Sequence, residues 1–138
     1  MTVNREYFRG AVEWNGEADY EPSFSHMPSL DSLEAAPGVV LRPLFGRQLM
    51  LSHVTFAPGA EAPVHQHAQE QMSFVLEGRL EFQVGHEKQV VGPGEAVAIP
   101  AHVPHSAVAL AEGCVCIDAF SPPRDAFREL MARERAHK

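Results

Sequence analysis

Four histidines in two short stretches of the chain are the residues best suited to chemistry. His65 and His67 are separated by one residue, so on an extended segment both imidazoles point to one face and can reach a single metal ion. His102 and His105 lie much further along, in the stretch Pro-Ala-His-Val-Pro-His. An imidazole from this stretch reaches the first pair only if strands fold back over one another. The spacing therefore predicts a metal site built from two distant segments.

The other histidines show no comparable pattern. We interpret four isolated ones as surface or satisfied core residues: His26, His53, His86 and His137. In the second stretch, Pro100 and Pro104 form a rigid loop in which only one side chain need face inward. We therefore interpret His102 as a turn residue rather than as a ligand.

Short strands must position these side chains, because the middle of the chain is interrupted at short intervals by turn residues. The chain contains 11 Pro and 10 Gly, and each Pro/Gly break in its middle is followed by a short apolar run, several of them alternating, as in 80–84. The candidate strands are 39–45, 48–56, 71–76, 79–84, 89–91, 96–99, 106–110 and 115–120. Many short antiparallel strands predict an all-β sandwich, jelly roll or barrel, which we place at residues 39–121.

The two ends of the chain differ from this middle part. Phe127, Leu130 and Met131 fall at helical spacing, which predicts a C-terminal α-helix over 122–138 that packs on the sheet of the same domain. Residues 1–38 contain scattered aromatic residues without a sustained period. We interpret them as an N-terminal arm that packs on its own barrel or on a partner subunit.

Length, composition and charge narrow the class of protein. The chain has 138 residues, 45% hydrophobic and 21% charged, which is typical of one globular domain. Its formal charge of −7 argues against nucleic acid as a partner. No stretch approaches the ~20 apolar residues of a membrane span, and no secretory signal is recognisable. We therefore expect a cytoplasmic protein with no membrane partner.

The two cysteines, Cys114 and Cys116, stand at alternate positions of a candidate strand. They would point to one face without the geometry of an easy disulfide. We favour two small buried apolar residues over a redox pair.

Two motifs resemble those of the cupin superfamily. The first cupin motif is similar to Gly59, five residues, His65-Gln66-His67, three residues, Gln71, six residues and Gly78. The second is similar to Gly94, five residues and then Pro100-Ala-His-Val-Pro-His105. The resemblance implies an all-β cupin double-stranded β-helix, a jelly-roll barrel, carrying the N-terminal arm and the C-terminal α-helix. It also implies one divalent transition metal ion as cofactor, and Zn, Ni, Fe, Mn and Cu all suit such ligands.

One departure from the first motif changes the implied ligand set. Gln71 stands where cupins usually have Glu, and Glu70 is displaced by one residue, toward the opposite face of an extended segment. The implied metal ligands are therefore His65, His67, Gln71 and His105. Four neutral ligands leave the charge of the ion uncompensated, which favours Lewis-acid chemistry and an anionic substrate.

The Glu-Gln pair and the segment after the second motif resemble the small cupins of the KdgF type. These pectin-degradation proteins open the ring of 4,5-unsaturated uronates toward the linear keto sugar acid. The resemblance implies that Asp118, Phe120 and Arg124 line the substrate site and carry catalysis. Asp118 would transfer a proton, Arg124 would hold a carboxylate through its planar fork, and Phe120 would form an apolar wall. Two structural alternatives stay open: an Asp118–Arg124 salt bridge that starts the helix, and Phe120 as ordinary core.

The function expected from these residues is a metal-dependent lyase- or isomerase-type enzyme acting on a small carboxylated sugar. A metal-dependent dioxygenase is the second possibility, because three histidines and a fourth ligand also suit iron and oxygen. A non-catalytic cupin that binds a small molecule is the third. Exposed edges of an open jelly roll are often covered by a second subunit, so we expect a homodimer.

Overall fold

A computed structural model describes residues 2–10 and 13–136 of the chain. Its elements in chain order are a short 3-10 helix (Met27–Ser29), β1 (Leu33–Ala36), β2 (Val39–Phe45), β3 (Met50–Phe56), β4 (Glu61–His65), β5 (Glu70–Val84), β6 (Glu87–Val91), β7 (Ala96–Ile99), β8 (His105–Ser121) and α1 (Asp125–Ala136). The predicted all-β class with a C-terminal helix is confirmed. His137 and residue 138 of the predicted helix lie outside the described residues, as do residues 1, 11 and 12 of the predicted arm.

The described strands pair antiparallel, and the long strands β5 and β8 connect the two layers of the barrel. One layer contains β1, β2, β3, the second half of β8, the first half of β5 and β7. The other contains β4, the first half of β8, the second half of β5 and β6. Each long strand thus runs through both layers, which gives the jelly roll.

The bend between the layers depends on two glycines that face each other. Gly78 of β5 and Gly113 of β8 both have φ of 72°, a backbone conformation that other residues adopt only with strain. A Cβ atom at Gly78 would lie 2.0 Å from the carbonyl oxygen of Gly113. The two backbones therefore lie too close together for a side chain at Gly78. This close approach lets both strands change layers without ending.

The same glycines explain where the predicted strands differ from the observed ones. Residues 39–45 and 96–99 form strands with the predicted bounds. Residues 71–76 and 79–84 join into β5, and 106–110 and 115–120 join into β8, because each strand continues through its bend, where the β5–β8 register shifts. The sequence analysis missed β1 and β4. β1 lies inside the segment that we interpreted as an arm, and β4 contains Pro63, which is tolerated here because β4 pairs with β8 alone.

The core lies between the two layers and extends beneath the terminal helix. Its most deeply buried apolar side chains are Met50, Val54, Val75, Leu80, Ile99 and Cys116. Helix α1 buries Phe127 and Met131 against the barrel, whereas Leu130 stays exposed. Burying each of these two side chains contributes about 1.5–3 kcal/mol, so the helix is held by its packing. Residues 2–10 and 13–26 of the arm are exposed.

The two cysteines are free and buried, as the interpretation of small core residues predicts. In the described part of the chain, no helix is long and apolar enough to cross a membrane.

Candidate metal centre and adjoining cavity

Three of the four histidines singled out in the sequence meet at one end of the barrel. His65 ends β4 and lies directly opposite His105, the first residue of β8, while His67 follows in the loop before β5. One ring nitrogen of each of the three lies within 4.8 Å of the others. The two loops are joined by a hydrogen bond of 2.8 Å from the backbone N–H of His102 to the carbonyl oxygen of His67. The predicted meeting of two distant segments therefore occurs.

Hydrogen bonds to the backbone determine which ring nitrogen of each histidine is available. The Nδ1 atoms of His65, His67 and His105 lie 2.7, 3.0 and 2.9 Å from the carbonyl oxygens of Pro63, Gln69 and Val103. A carbonyl oxygen only accepts, so each Nδ1 carries the proton and each Nε2 keeps a free lone pair. The Nε2 atom of His105 is buried and has no hydrogen-bond partner. This arrangement fits a divalent metal ion, because metal-ligating histidines characteristically donate their second N–H in this way.

Burial favours the neutral imidazole form of His67 and His105. It lowers the pKa of His105 to about 4, and it lowers the pKa of His67, with the positive charge of Arg124 acting in the same direction at both. Neutral imidazole is the form that binds metal. The histidines are therefore ready to bind a cation at neutral pH.

Gln71 completes the cluster from the first residues of β5. Its side-chain Oε1 lies 3.0 Å from Nε2 of His67, and its Nε2 donates a hydrogen bond of 3.0 Å to Oγ of Ser73. With Nδ1 of His67 protonated, the amide oxygen and the imidazole nitrogen face each other as two lone pairs, which a cation between them would satisfy. Glu70 points away and is exposed.

The remaining histidines lie elsewhere. His102 occupies the turn before β8 with φ of 65° and is exposed. His26 and His86 are also exposed, and His53 is buried within β3, where burial lowers its pKa. None of these four belongs to the cluster.

Asp118 occupies the middle of a polar row across three strands. It lies directly opposite Ser52 of β3 and Ser73 of β5, and paired residues point to the same face of a sheet. Burial raises the pKa of Asp118 to about 6, against the opposing effects of hydrogen bonds from Ser73 and Cys116 and of the charge on Arg124. The carboxyl group thus exchanges its proton close to neutral pH.

Cys116 precedes Asp118 by two residues on the same face of β8, and its Sγ lies 3.8 Å from Oδ1 of Asp118. Contact with the Cys114 thiol, together with burial, raises the pKa of Cys116, so it stays a protonated donor. Residues 114, 116, 118 and 120 share the inner face, as their alternate spacing predicts.

Arg124 lies between the end of β8 and helix α1, with its guanidinium over two aromatic rings. The Cζ atom lies 5.6 Å from the ring centroid of Phe120 and 4.8 Å from that of Phe127. The ion pairs among the described residues involve other cations, so Arg124 and Asp118 do not form the salt bridge considered as an alternative. The side chain is a partly buried positive charge without a carboxylate partner.

Phe120 is both a core residue and a wall of the site. It is buried, its ring packs edge-on against His67 at 5.6 Å and against Phe127 at 5.7 Å, and it lies opposite Gln71 in the β5–β8 register. The two roles considered for Phe120 in the sequence analysis, a core residue and an apolar wall of the site, are therefore compatible.

Most of these groups border one cavity of about 330 Å³ inside the barrel, although His67, Ser52 and Ser73 are not among its lining residues. Its polar lining residues include His65, Gln71, His105, Asp118 and Arg124, and most of the remaining wall is apolar. A second cavity of about 470 Å³ lies near β6 and β7 and touches none of the candidate residues. The first cavity is the candidate site, because the chemistry-bearing groups converge there.

Sequence reasoning missed the two serines that flank Asp118. Ser52 of β3 and Ser73 of β5 are polar residues with no exposed surface. In the sequence, each serine can be recognised as a hydroxyl residue at an inward-facing position of an alternating strand. Ser73 stands two residues after Gln71 and therefore on the same face.

Fold, ligand geometry and cavity define a cupin. Residues 52–120, half of the chain, match the family model described as the cupin domain, so the chain belongs to the cupin family.

Individual proteins and solved structures are also similar to this chain. The pectin degradation protein KdgF of Dickeya dadantii is 38% identical over 80 residues, which cover 57% of this chain and 73% of that protein. The structure of KdgF from Halomonas sp. superposes with a TM-score of 0.72 at 34% identity, covering 78% of this chain and 99% of the other. An RmlC-like cupin from Shewanella frigidimarina gives a TM-score of 0.71 at 33% identity, covering 78% and 96%.

Proposed function

We propose that this cupin is a metal-dependent enzyme that opens or isomerises a small carboxylated sugar, a 4,5-unsaturated uronate or a related sugar acid. One observation carries the proposal: two histidines of the three-histidine cluster, a carboxyl group with a raised pKa, and a guanidinium that has no ion pair among the described residues border one cavity. Similarity to two KdgF proteins, one of them described as a pectin degradation protein, supports the substrate class.

The proposed metal ligands are His65, His67, Gln71 and His105. A divalent transition ion bound there supplies a Lewis acid whose charge the neutral ligands leave uncompensated. The Nδ1–H bonds to backbone carbonyls hold the imidazoles in the ligating orientation. These ligands suit Zn, Ni, Fe, Mn or Cu, so metal identity depends on availability as much as on affinity.

Arg124 is the proposed recognition group for the substrate carboxylate. It is a partly buried cation that faces the cavity and has no ion-pair partner among the described residues. Stacking over Phe120 and Phe127 holds the guanidinium plane in place while its N–H groups stay available. A bidentate contact from Arg124 would position the sugar with Phe120 as an apolar wall.

Asp118 is the proposed proton-transfer group. With a pKa raised to about 6, it accepts a proton readily near neutral pH and can return it. In ring opening of an enol hemiacetal, its carboxylate would take the proton of the anomeric hydroxyl as the ring C–O bond breaks, with the electron pair of that bond passing to the enol oxygen. Return of a proton to the enolate carbon would then give the linear keto sugar acid and restore the carboxylate. General acid–base help of this kind contributes ~10²–10⁴ in rate.

The test is an NMR time course of 4,5-unsaturated galacturonate with metal-loaded protein, beside a chelator-treated sample. We expect metal-dependent acceleration in the loss of the vinyl proton. No acceleration with metal bound would contradict the uronate proposal. Oxygen consumption by iron-loaded protein would then indicate a dioxygenase, and a bound ligand recovered unchanged would indicate a binding cupin.

We also propose that the protein is a cytoplasmic homodimer. Met72, Phe74 and Leu76 form a row of exposed apolar side chains on the outer face of β5, and exposed aromatic residues lie along the arm. Apolar surface of this kind favours association, with the arm contacting the partner barrel. Light scattering should give twice the chain mass, and a monomeric mass would refute the dimer.

A further inference from the structure

A buried polar side chain lies between Gln71 and Asp118 and contacts both. Ser73 has no exposed surface, and its Oγ accepts a hydrogen bond of 3.0 Å from the amide nitrogen of Gln71. Ser73 also lies directly opposite Asp118 in the β5–β8 register, so its hydroxyl and the Asp118 carboxyl lie side by side on one face of the sheet. A short polar chain thus leads from the metal cluster to the carboxyl group.

The direction of these hydrogen bonds follows from the proton count. A serine hydroxyl has one proton, and a carboxylate can only accept, so the Ser73 proton points to Asp118. The Oγ lone pairs are then left for Gln71, which must present its NH₂ group to them. An amide has two ends, so this contact turns the amide oxygen toward His67, where Oε1 lies 3.0 Å from Nε2.

We propose that Ser73 is a positioning residue that fixes the Gln71 amide with its oxygen toward the metal ion, using Asp118 to orient its own proton. This inference rests on the proposed role of Gln71 as a ligand. Without the Ser73 hydroxyl, the buried amide nitrogen has no acceptor, and the side chain can rotate or turn its NH₂ group toward the cation. Loss of such supporting hydrogen bonds characteristically weakens metal binding ~10- to 100-fold.

The chain offers a matched control in Ser52. This serine is also fully buried, also faces Asp118 from the neighbouring strand, and has an Oγ without a hydrogen-bond partner. Ser73→Ala and Ser52→Ala therefore each remove one buried hydroxyl that faces Asp118. Only the first removes a contact to Gln71.

The experiment measures Co²⁺ affinity by competition with a chelator and records the visible spectrum of bound Co²⁺, which reports its ligands. We expect Ser73→Ala to weaken Co²⁺ binding ~10-fold or more and to change the spectrum. Ser52→Ala should leave both unchanged. Ser73→Cys keeps the approximate size but offers only a weak acceptor, so it should behave like Ser73→Ala and serves if that variant folds poorly.

A double-mutant cycle tests whether Ser73 acts through Gln71. In a Gln71→Ala background, Ser73→Ala should cause no further loss of Co²⁺ affinity. Three results would each overturn the inference. They are an equal loss of Co²⁺ affinity on Ser73→Ala in both backgrounds, equal effects of Ser73→Ala and Ser52→Ala, and wild-type Co²⁺ affinity in Ser73→Ala. Wild-type binding by Gln71→Ala alone would instead refute the ligand role of Gln71, and neither result depends on the substrate.

Discussion

His65 and His105 lie directly opposite each other in the β4–β8 register, with ring centroids 4.2 Å apart, although 39 residues separate them in the chain. Antiparallel pairing of β4 with β8 therefore places these two imidazoles on one face of the sheet, and no loop is needed to bring them together. The pairing of a short strand with the start of a long one is what creates the metal cluster.

Replacing His105 with alanine should abolish tight metal binding. It removes the buried Nε2 that has no protein partner, and we expect affinity to fall by on the order of 100-fold or more. Isothermal titration with Zn²⁺ or Co²⁺ measures the change. His86→Ala is the control, because His86 is exposed and outside the cluster. Equal affinity in the wild type and His105→Ala would contradict the assigned site.

Metal should also raise the thermal stability of the wild type. A ligand that binds only the folded state stabilises it by about 2.7 kcal/mol at a free concentration 100 times its Kd. Differential scanning fluorimetry should show Tm rising with metal concentration, and chelator should reverse the rise. The Tm of His105→Ala should respond little over the same range. A metal-independent Tm in the wild type would count against a specific site.

Asp118→Asn should slow catalysis and stabilise the metal-free fold at neutral pH. The folded pKa, about 6, lies above the ordinary value of 3.8, so the folded state binds more protons between these values. Stability contributed by this group is therefore present at low pH and decreases as pH rises from about 4 to 6. Removing the charge should recover on the order of 2 kcal/mol at pH 7.5 and nothing at pH 3.5.

Urea unfolding of metal-free protein at the two pH values measures this difference. With substrate, kcat of the wild type should fall below pH ~6 as Asp118 is protonated, and Asp118→Asn should lose this dependence along with ~10²-fold in rate. A wild-type pH profile in the asparagine variant would show that another group transfers the proton.

Arg124→Ala should raise KM for a carboxylated substrate roughly 10- to 100-fold, because a charge-assisted hydrogen bond contributes about 1.5–3 kcal/mol. Arg124→Lys should restore little, since an ammonium group lacks the planar fork. Arg128→Ala is the matched control: Arg128 lies in the first turns of the following helix α1 and also stacks on an aromatic ring, that of Phe45, but is exposed. Steady-state kinetics with unchanged KM in Arg124→Ala would refute carboxylate recognition by this residue.

Gly78→Ala should destabilise the barrel strongly. Its Cβ would lie 2.0 Å from the Gly113 carbonyl oxygen, in addition to the strain of φ at 72°, and we expect a loss of roughly 3–4 kcal/mol. Gly59→Ala separates the two effects, because Gly59 has φ of 75° but nothing within 4 Å of a Cβ. That variant should lose only about 1–2 kcal/mol. Equal losses in urea unfolding would show that the close approach contributes nothing.

Much of the site could be predicted from the sequence because its determinants are local. The spacing of His65 and His67 puts both on one face of an extended segment, and proline spacing marks His102 as a turn residue. The alternate positions 114 to 120 place Asp118 and Phe120 on one inner face, whatever the barrel does elsewhere. Strand β4 escaped prediction because its stability comes from pairing with β8 and not from an alternating pattern of its own.

The sequence by itself determined the all-β class, the terminal helix, the cupin motifs and the residue types that suit a metal. Only the tertiary structure decided that Ser73 accepts from the Gln71 amide while facing Asp118, that Arg124 forms no salt bridge with Asp118 and that Gly78 approaches Gly113. These relationships depend on the strand register, on side-chain conformation and on where two long strands bend. A local sequence pattern predicts which face of a strand a residue occupies and where turns occur, but it does not show which side chain lies opposite another.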